Sequence, residues 1–393
     1  MALGEGIGAW RHAAAHGVLL VVGLACLVIP FAASAPSEQA TYGAAGPAFV
    51  LPPGTKRIDT HTHFIPEFYA EILKSKGLDS GGRAIPKWTP ESHIELMDTI
   101  GVETAIISIS TPGARLPGDD MEAGRKLARE LNEYGHKVTV EYPGRFQFWA
   151  TVTLPDVEGS VQEAIYALDT LKAAGVVLLA NSEGEYLGSK KFDPLMEVLN
   201  ERHAVVFVHP NSVPFAKVPD HIEDSMVPEF VMDFLLDTTR ACANLIFKNV
   251  TGRYPNIRFI LSHSGGFMPF AAYRMGGALS FLTKENAMKT MGLLKSFYVD
   301  TALSSSPSAL PSTTQFVPHS HITFGSDFPF APTFGIKIAT SQLDQYQGLP
   351  SETKHLFNYD NANSLFDKSL SHWRTVWKAA AAAPATEENH DEL

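Results

Sequence analysis

Two histidines one residue apart, His61 and His63 in "RIDTHTHF" (57–64), could offer two imidazole nitrogens to one divalent cation. On an extended strand, residues i and i+2 face the same way, so both rings can aim at one ion while Thr62 points oppositely. Three more polar residues close apolar runs in the same manner: His209 in "AVVFVHP", His263 in "IRFILSHSG" and Asp327 in "HITFGSDF". A lone histidine at a strand end is ordinarily a solvated group, and a lone aspartate there an ordinary turn cap. Together, however, these residues supply the nitrogen and oxygen donors that a zinc-type ion takes. His61, His63, His209 and Asp327 make four ligands, and His263 is left to act behind them.

Residues so far apart in sequence need a scaffold that brings strand ends together. Eight short runs rich in β-branched residues occur between Arg57 and Phe328: 57–64, 104–110, 146–153, 175–181, 204–210, 257–265, 296–302 and 321–328. Several are almost continuously apolar, as parallel strands covered on both faces are. Longer amphipathic segments lie between them, among them 122–138 and 227–247. The pattern predicts a (β/α)8 barrel, whose active site collects at the C-terminal ends of the strands. A doubly wound open sheet is the rival, but no glycine-rich phosphate loop follows the first strand.

With 45% hydrophobic and 19% charged residues, the 393-residue chain is globular, and its net charge of -11 argues against a nucleic acid or an anionic membrane surface as main partner. Two cysteines, Cys26 and Cys242, exclude a disulfide framework and a cysteine-based zinc site as organising features. The ends carry addresses. Gly17 to Ala35 is uncharged and closes on small residues, which predicts a signal peptide or signal anchor over 1–35, followed by a linker at 36–56. The terminal "HDEL" (390–393) is a retention signal of the endoplasmic reticulum. Both ends point to the lumen, with a membrane as partner only if the N-terminal segment stays uncleaved. "NVT" at 249–251 is a glycosylation acceptor pattern in that compartment. The catalytic domain is expected over 57–370, and 371–393 as a tail carrying "HDEL".

The motifs "DTHTHF" at 59, "WTPESHIELMDTIGV" at 88, "FVHP" at 207, "LSHSGGFMPFAAYRM" at 261, "FGSDFP" at 324 and "NYDNANSLF" at 358 carry a resemblance. From Arg57 to Phe366 the chain resembles the amidohydrolase superfamily. More narrowly, it resembles the nonoxidative decarboxylases that include amino-carboxymuconate-semialdehyde, resorcylate and fungal 6-methylsalicylate decarboxylases. The stretch from Gly175 to Pro210 looks most like the 6-methylsalicylate branch, which serves polyketide pathways in fungi. The resemblance implies one divalent metal, zinc or alternatively manganese, on His61, His63, His209 and Asp327. The fourth strand ends "LLANS", without the lysine that bridges two metals in other barrel hydrolases. By the same resemblance His263 hydrogen-bonds metal-bound water or substrate and handles protons. Arg274 reaches a substrate carboxylate in the neighbouring subunit of a homodimer, and Arg83 lies near another substrate-binding position. Trp88, Phe64 and Phe328 are candidates to wall an aromatic ring.

The implied reaction is decarboxylation of a small aromatic carboxylic acid, 6-methylsalicylate giving m-cresol and carbon dioxide. Direct loss of carbon dioxide would leave an in-plane aryl carbanion, so protonation at the carboxyl-bearing carbon must precede or accompany it. Asp327, hydrogen-bonded to His263 and tuned by it, is a reasonable donor, and the sequence leaves open which of Asp327 and His263 delivers the proton. A metal-dependent hydrolase of a lactone, ester or amide is the alternative, since the same ligands could activate water. A noncatalytic lumenal barrel is a third reading, which absence of bound metal would favour.

Overall fold

The computed structural model describes residues 49–212 and 227–382. The expected signal segment 1–35, most of the linker 36–56 and the "HDEL" terminus therefore lie outside the described residues.

All eight expected strands form: β1 (Arg57–His63), β2 (Val102–Ser108), β3 (Phe146–Thr151), β4 (Gly175–Leu179), β5 (Val205–His209), β6 (Arg258–Leu261), β7 (Tyr298–Asp300) and β8 (Ile322–Thr323). Each pairs in parallel with the next. A parallel bridge between Asp59 and Phe324 brings the two edges together, so the sheet curls into a barrel of the (β/α)8 kind rather than an open sheet. The runs read as continuously apolar because both faces are covered. Ile58, Ile106, Trp149, Val177, Phe207 and Ile260 fill the lumen, while Ile107, Phe148, Val176 and Val208 pack outward in the core that the helices share.

Alternation then sets what lies above this apolar layer. Two residues beyond Ile106, Trp149 and Phe207, on the same inward face, come Ser108, Thr151 and His209. β1 needs a correction to that rule. With Ile58 in the lumen, unbroken alternation would turn His61 outward, but the pairing of β1 with β2 shifts register between Asp59 and Thr62. That irregularity aims His61 and His63 inward.

Three features differ from expectation. The sixth strand ends at Leu261 rather than Gly265, because His263 and Ser264 take left-handed backbone angles (φ 53° and 57°). Gly266 follows at φ 64°, where a Cβ would fall 2.1 Å from the Leu235 carbonyl oxygen, so this turn requires glycine. Second, Asn181–Ser182 pairs antiparallel with Glu185–Tyr186 in a small hairpin after β4. Third, the tail expected from 371 continues a helix, Asp367–Ala382. Its Leu370, Trp373 and Trp377 recur at helical spacing and are buried. The Trp373 and Trp377 indoles donate to the carbonyls of Lys172 and Thr139, at 3.1 and 3.2 Å. Phe366, just before this helix, closes the barrel floor edge-on to Trp149, with ring centroids 5.4 Å apart.

Candidate metal centre

His61, His63, His209 and Asp327 meet at the C-terminal mouth of the barrel, with one ligand atom of each within 4.8 Å of the others. All four are buried. The far side of each imidazole is already committed. His61 Nδ1–H donates to Asp300 Oδ2 at 2.9 Å, and His209 Nδ1–H to the Pro210 carbonyl at 2.9 Å. The Ser108 hydroxyl donates to the Thr62 carbonyl at 3.1 Å, so at 2.9 Å it accepts from His63 Nδ1–H. In each neutral ring the proton therefore sits on Nδ1, and the Nε2 lone pair faces the centre.

Three lone pairs and a carboxylate aimed at one point repel unless a cation lies among them. Asp327 Oδ1 is 3.1 Å from His63 Nε2 and 3.4 Å from His61 Nε2, and His61 Nε2 is buried without a hydrogen-bond partner. These donors fit a divalent metal with nitrogen and oxygen ligands. Without one, a proton substitutes: burial lowers the basicity of His61, but Asp300 and Asp327 outweigh it and push its pKa up to about 10. Burial by itself would raise the Asp327 carboxyl, yet the imidazoles of His61 and His63 against it hold it well below the usual carboxylate range. Burial also lowers the pKa of His209, which keeps that ring neutral.

His263 stands beside this group, its ring centroid 4.7 Å from that of His61. Its amide donates to Asp300 Oδ1 at 3.0 Å and its Nδ1–H to the Ala302 carbonyl at 3.2 Å. The hydrogen bond expected between His263 and Asp327 does not form, because the strand-seven end holds His263 away while Asp327 turns to His61 and His63. Burial lowers the pKa of His263, so its Nε2 is an acceptor.

The other expected site residues divide. Arg83 is half-buried and donates through Nε to the Phe330 carbonyl at 3.2 Å, and the Phe330 ring lies 5.4 Å from that of His63. Arg83 is thus tied to the loop that borders the centre. Arg274 is exposed on the helix Met268–Thr283, without an ion pair or hydrogen bond among the described residues. Trp88, Phe64 and Phe328 do not wall the site. Each is packed in the layer between strands and helices, with Phe64 6.1 Å from Trp88 and Phe328 4.8 Å from His93. Phe64 and Phe328 each follow a ligand by one residue, and one step along the chain turns a side chain to the opposite face.

Sequence reasoning passed over Asp300, Ser108 and Asp59, which orient the ligands. Asp300 carried the available signal, a charged residue ending the apolar run of the seventh strand. Buried Asp59 accepts from the amides of His61 and Ser326 at 3.1 and 3.2 Å, joining β1 to the turn that carries Asp327. Next to His209, a cavity of about 370 Å³ is lined by Ile109, Thr151, Leu179 and Asn211 among others. Leu179 pairs with His209 itself, and the volume suits a single-ring acid.

The sequence profile of the Amidohydrolase family matches residues 58–368. The chain is 37% identical over 322 residues to decarboxylase yanB of Aspergillus niger, covering 79% of this chain and 88% of that one. It is 34% identical over 318 residues to 6-methylsalicylic acid decarboxylase of Penicillium expansum, covering 79% and 96%. Among solved structures it superposes on the 5-carboxyvanillate decarboxylase of Novosphingobium aromaticivorans, which holds manganese and a nitrobenzoic acid, with a TM-score of 0.69, 22% identity and coverage of 80% and 96%. The match over most of the chain, together with a barrel whose strand ends gather His61, His63, His209 and Asp327, makes this protein a member of the amidohydrolase family.

Proposed function

We propose that this chain is a metal-dependent nonoxidative decarboxylase of a hydroxybenzoate, with 6-methylsalicylate as substrate and m-cresol and carbon dioxide as products. The carrying observation is the convergence of four buried acceptors on one point in a chain 33–37% identical to four fungal decarboxylases, two of them named for 6-methylsalicylic acid. The reading includes a fungal polyketide pathway as the source of the acid.

Zinc is the expected ion, with manganese, present in the carboxyvanillate decarboxylase, as the alternative. Bound on His61, His63, His209 and Asp327, it would supply positive charge that favours the phenolate over the phenol. Everything else falls to the chain. The cavity beside His209 receives the ring, with Ile109 and Leu179 as apolar wall and Thr151 and Asn211 as polar groups beside it. Asp327, ionised in the resting site, takes the phenolic proton and returns it to the carboxyl-bearing carbon, giving a cyclohexadienone carboxylate. Carbon dioxide then departs, the electrons of the broken C–C bond restore the aromatic phenolate, and solvent protonates it. His263 Nε2, as an acceptor, receives the substrate hydroxyl as the ring enters, before Asp327 takes its proton, and Arg83, tied to the Phe330 carbonyl at the border of the centre, pairs with the carboxylate.

Incubation with 6-methylsalicylate should release equimolar m-cresol and carbon dioxide. The rate should fall to background after chelation and return with zinc or manganese. No aromatic product with either ion, alongside hydrolysis of a lactone or ester, would establish the alternative reading.

A homodimer belongs to the same proposal. Phe270, Tyr273 and Phe281 are 88%, 82% and 84% exposed around Arg274 on Met268–Thr283, an apolar surface that water does not favour. Phe270→Asp is expected to convert a dimer to a monomer in sedimentation velocity; an unchanged mass would argue against this face. Residence in the endoplasmic reticulum lumen also follows from "HDEL" and the apolar N-terminal segment. Asn249 of "NVT" is exposed, so protein made in a secretory host should lose mass with endoglycosidase H, whereas a chain that never enters that compartment would not.

A further inference from the structure

The motif "WTPESH" takes no part in the proposed reaction, yet its Trp88 and His93 reach the back of the metal centre. Thr62 lies between the two histidine ligands of β1 and faces away from the barrel lumen. Its hydroxyl donates to the Phe328 carbonyl at 3.0 Å and lies 3.0 Å from His93 Nε2. The Trp88 indole N–H donates to His93 Nδ1 at 3.0 Å. Indole can only donate, so His93 Nδ1 must be the acceptor and Nε2 must carry the ring proton. A single directed chain results: Trp88 to His93, His93 to Thr62, Thr62 to Phe328.

Its two ends are fixed. His93 sits on the helix Pro90–Ile100, which opens with a reciprocal cap between Thr89 and Ser92 and a proline in the first turn. Phe328 follows Asp327, and its carbonyl also accepts from the His63 amide at 2.7 Å. Trp88, His93 and Thr62 are all buried, so water does not replace these bonds. The chain therefore clamps two separate pieces of backbone that carry ligands: the strand with His61 and His63, and the left-handed turn at Asp327 (φ 62°).

We propose that His93 is a positioning residue for the metal centre, holding β1 and the Asp327 turn at the spacing that lets His63 Nε2 and Asp327 Oδ1 share one ion. The inference rests on reading the four acceptors as metal ligands and is independent of which acid is decarboxylated. It is tested with Co²⁺ on the full-length protein, by calorimetric affinity and by the visible d–d spectrum. His93→Phe fills a similar volume but neither accepts nor donates, so Co²⁺ affinity should fall about 10- to 100-fold, the range found for residues that orient ligands. The spectrum should change as well. His93→Gln, which can accept from Trp88 and donate to Thr62, should return affinity to within a few-fold and restore the spectrum, a rescue that loss of packing would not give. If His93→Phe does not fold, Thr62→Val removes the same bond from its other end while keeping the β-branched shape, and the same loss is expected. A folded His93→Phe or Thr62→Val protein with wild-type affinity and spectrum would overturn the proposal. Failure of the wild-type protein to bind Co²⁺ would instead remove the metal reading and the proposal with it.

Discussion

Replacing Asp327 with asparagine is expected to lower decarboxylation about 10³- to 10⁴-fold at saturating metal, with the fold unchanged. Asparagine nearly matches the shape of aspartate, so the packing around the turn survives. Two functions do not. The carboxylate that lies 3.1 Å from His63 Nε2 and 3.4 Å from His61 Nε2 becomes neutral, which weakens its hold on a cation. The group that carries a proton from phenol to ring carbon is also lost, and among the described residues the other carboxylate at the centre does not replace it: Asp300 is occupied by His61 Nδ1 and by the amides of His263 and Ala302. Metal titration of the kinetics separates the two, since excess ion repairs only the first. His263→Asn is the comparison. If His263 holds the substrate rather than the proton, its loss should be smaller, about 10- to 100-fold, in product formation followed by chromatography. A residual rate in the Asp327 variant within tenfold of wild type would take Asp327 out of proton transfer, and unchanged turnover in the His263 variant would do the same for that residue.

The largest stability effect is expected at Arg57, the first residue of the strand that bears His61 and His63. Its guanidinium is fully buried. Nη2 donates to Asp344 Oδ1 at 2.5 Å, Nε to Asn358 Oδ1 at 3.2 Å and Nη1 to the Ile100 carbonyl, while the group lies 5.2 Å from the centre of the Phe324 ring. Arg57→Leu leaves Asp344 buried without its counter-charge, a loss of about 3–5 kcal/mol. In a chain of this size that corresponds to a fall of roughly 4–6 °C in the unfolding midpoint. The deficit should depend on pH. Burial raises the Asp344 carboxyl even beside Arg57, and removing the arginine raises it further. A raised carboxyl binds its proton more tightly in the folded state, so the variant loses stability as pH climbs above the ordinary carboxylate value. Its difference from wild type should therefore be wider at pH 7 than at pH 5. Arg57→Leu with Asp344→Leu should recover most of the loss, because an apolar pair carries no unpaired charge. A single variant that unfolds within about 1 kcal/mol of wild type would show that the ion pair contributes little.

Both residues display what is and is not readable along the chain. Eight strands could be read because the signal is local: apolar runs of strand length alternating with helical periodicity, each visible within a window of about a dozen residues. The site could be read because polar residues at the ends of such runs are conspicuous, and barrel closure sends all such ends to one mouth. Partners were not readable. Arg57 and Asp344 lie 287 positions apart, and His61 and Asp300 lie 239 apart, so nothing near either residue announces the other. The type of Trp88 suits a wall for an aromatic ring as well as it suits packing, and only the fold shows its indole N–H committed to His93. The alanine run from 379 carries no amphipathic signal and reads as part of a tail from 371, while Trp373 and Trp377 seat the helix Asp367–Ala382 on the barrel.

The sequence by itself determined the barrel, the order of its strands and the identity of His61, His63, His209, His263 and Asp327 as the residues at its mouth, since each follows from residue type and short-range period. Only the tertiary structure decided which way those residues face and what holds them. Alternation puts His61 and His63 on one side of β1, but the register shift between Asp59 and Thr62 makes that side the lumen. Likewise Asp300, Ser108 and Pro210 fix the Nδ1 proton on each ring, and so the direction of its lone pair. Register and tautomer depend on neighbours brought close by folding, and no local pattern encodes a neighbour that distant.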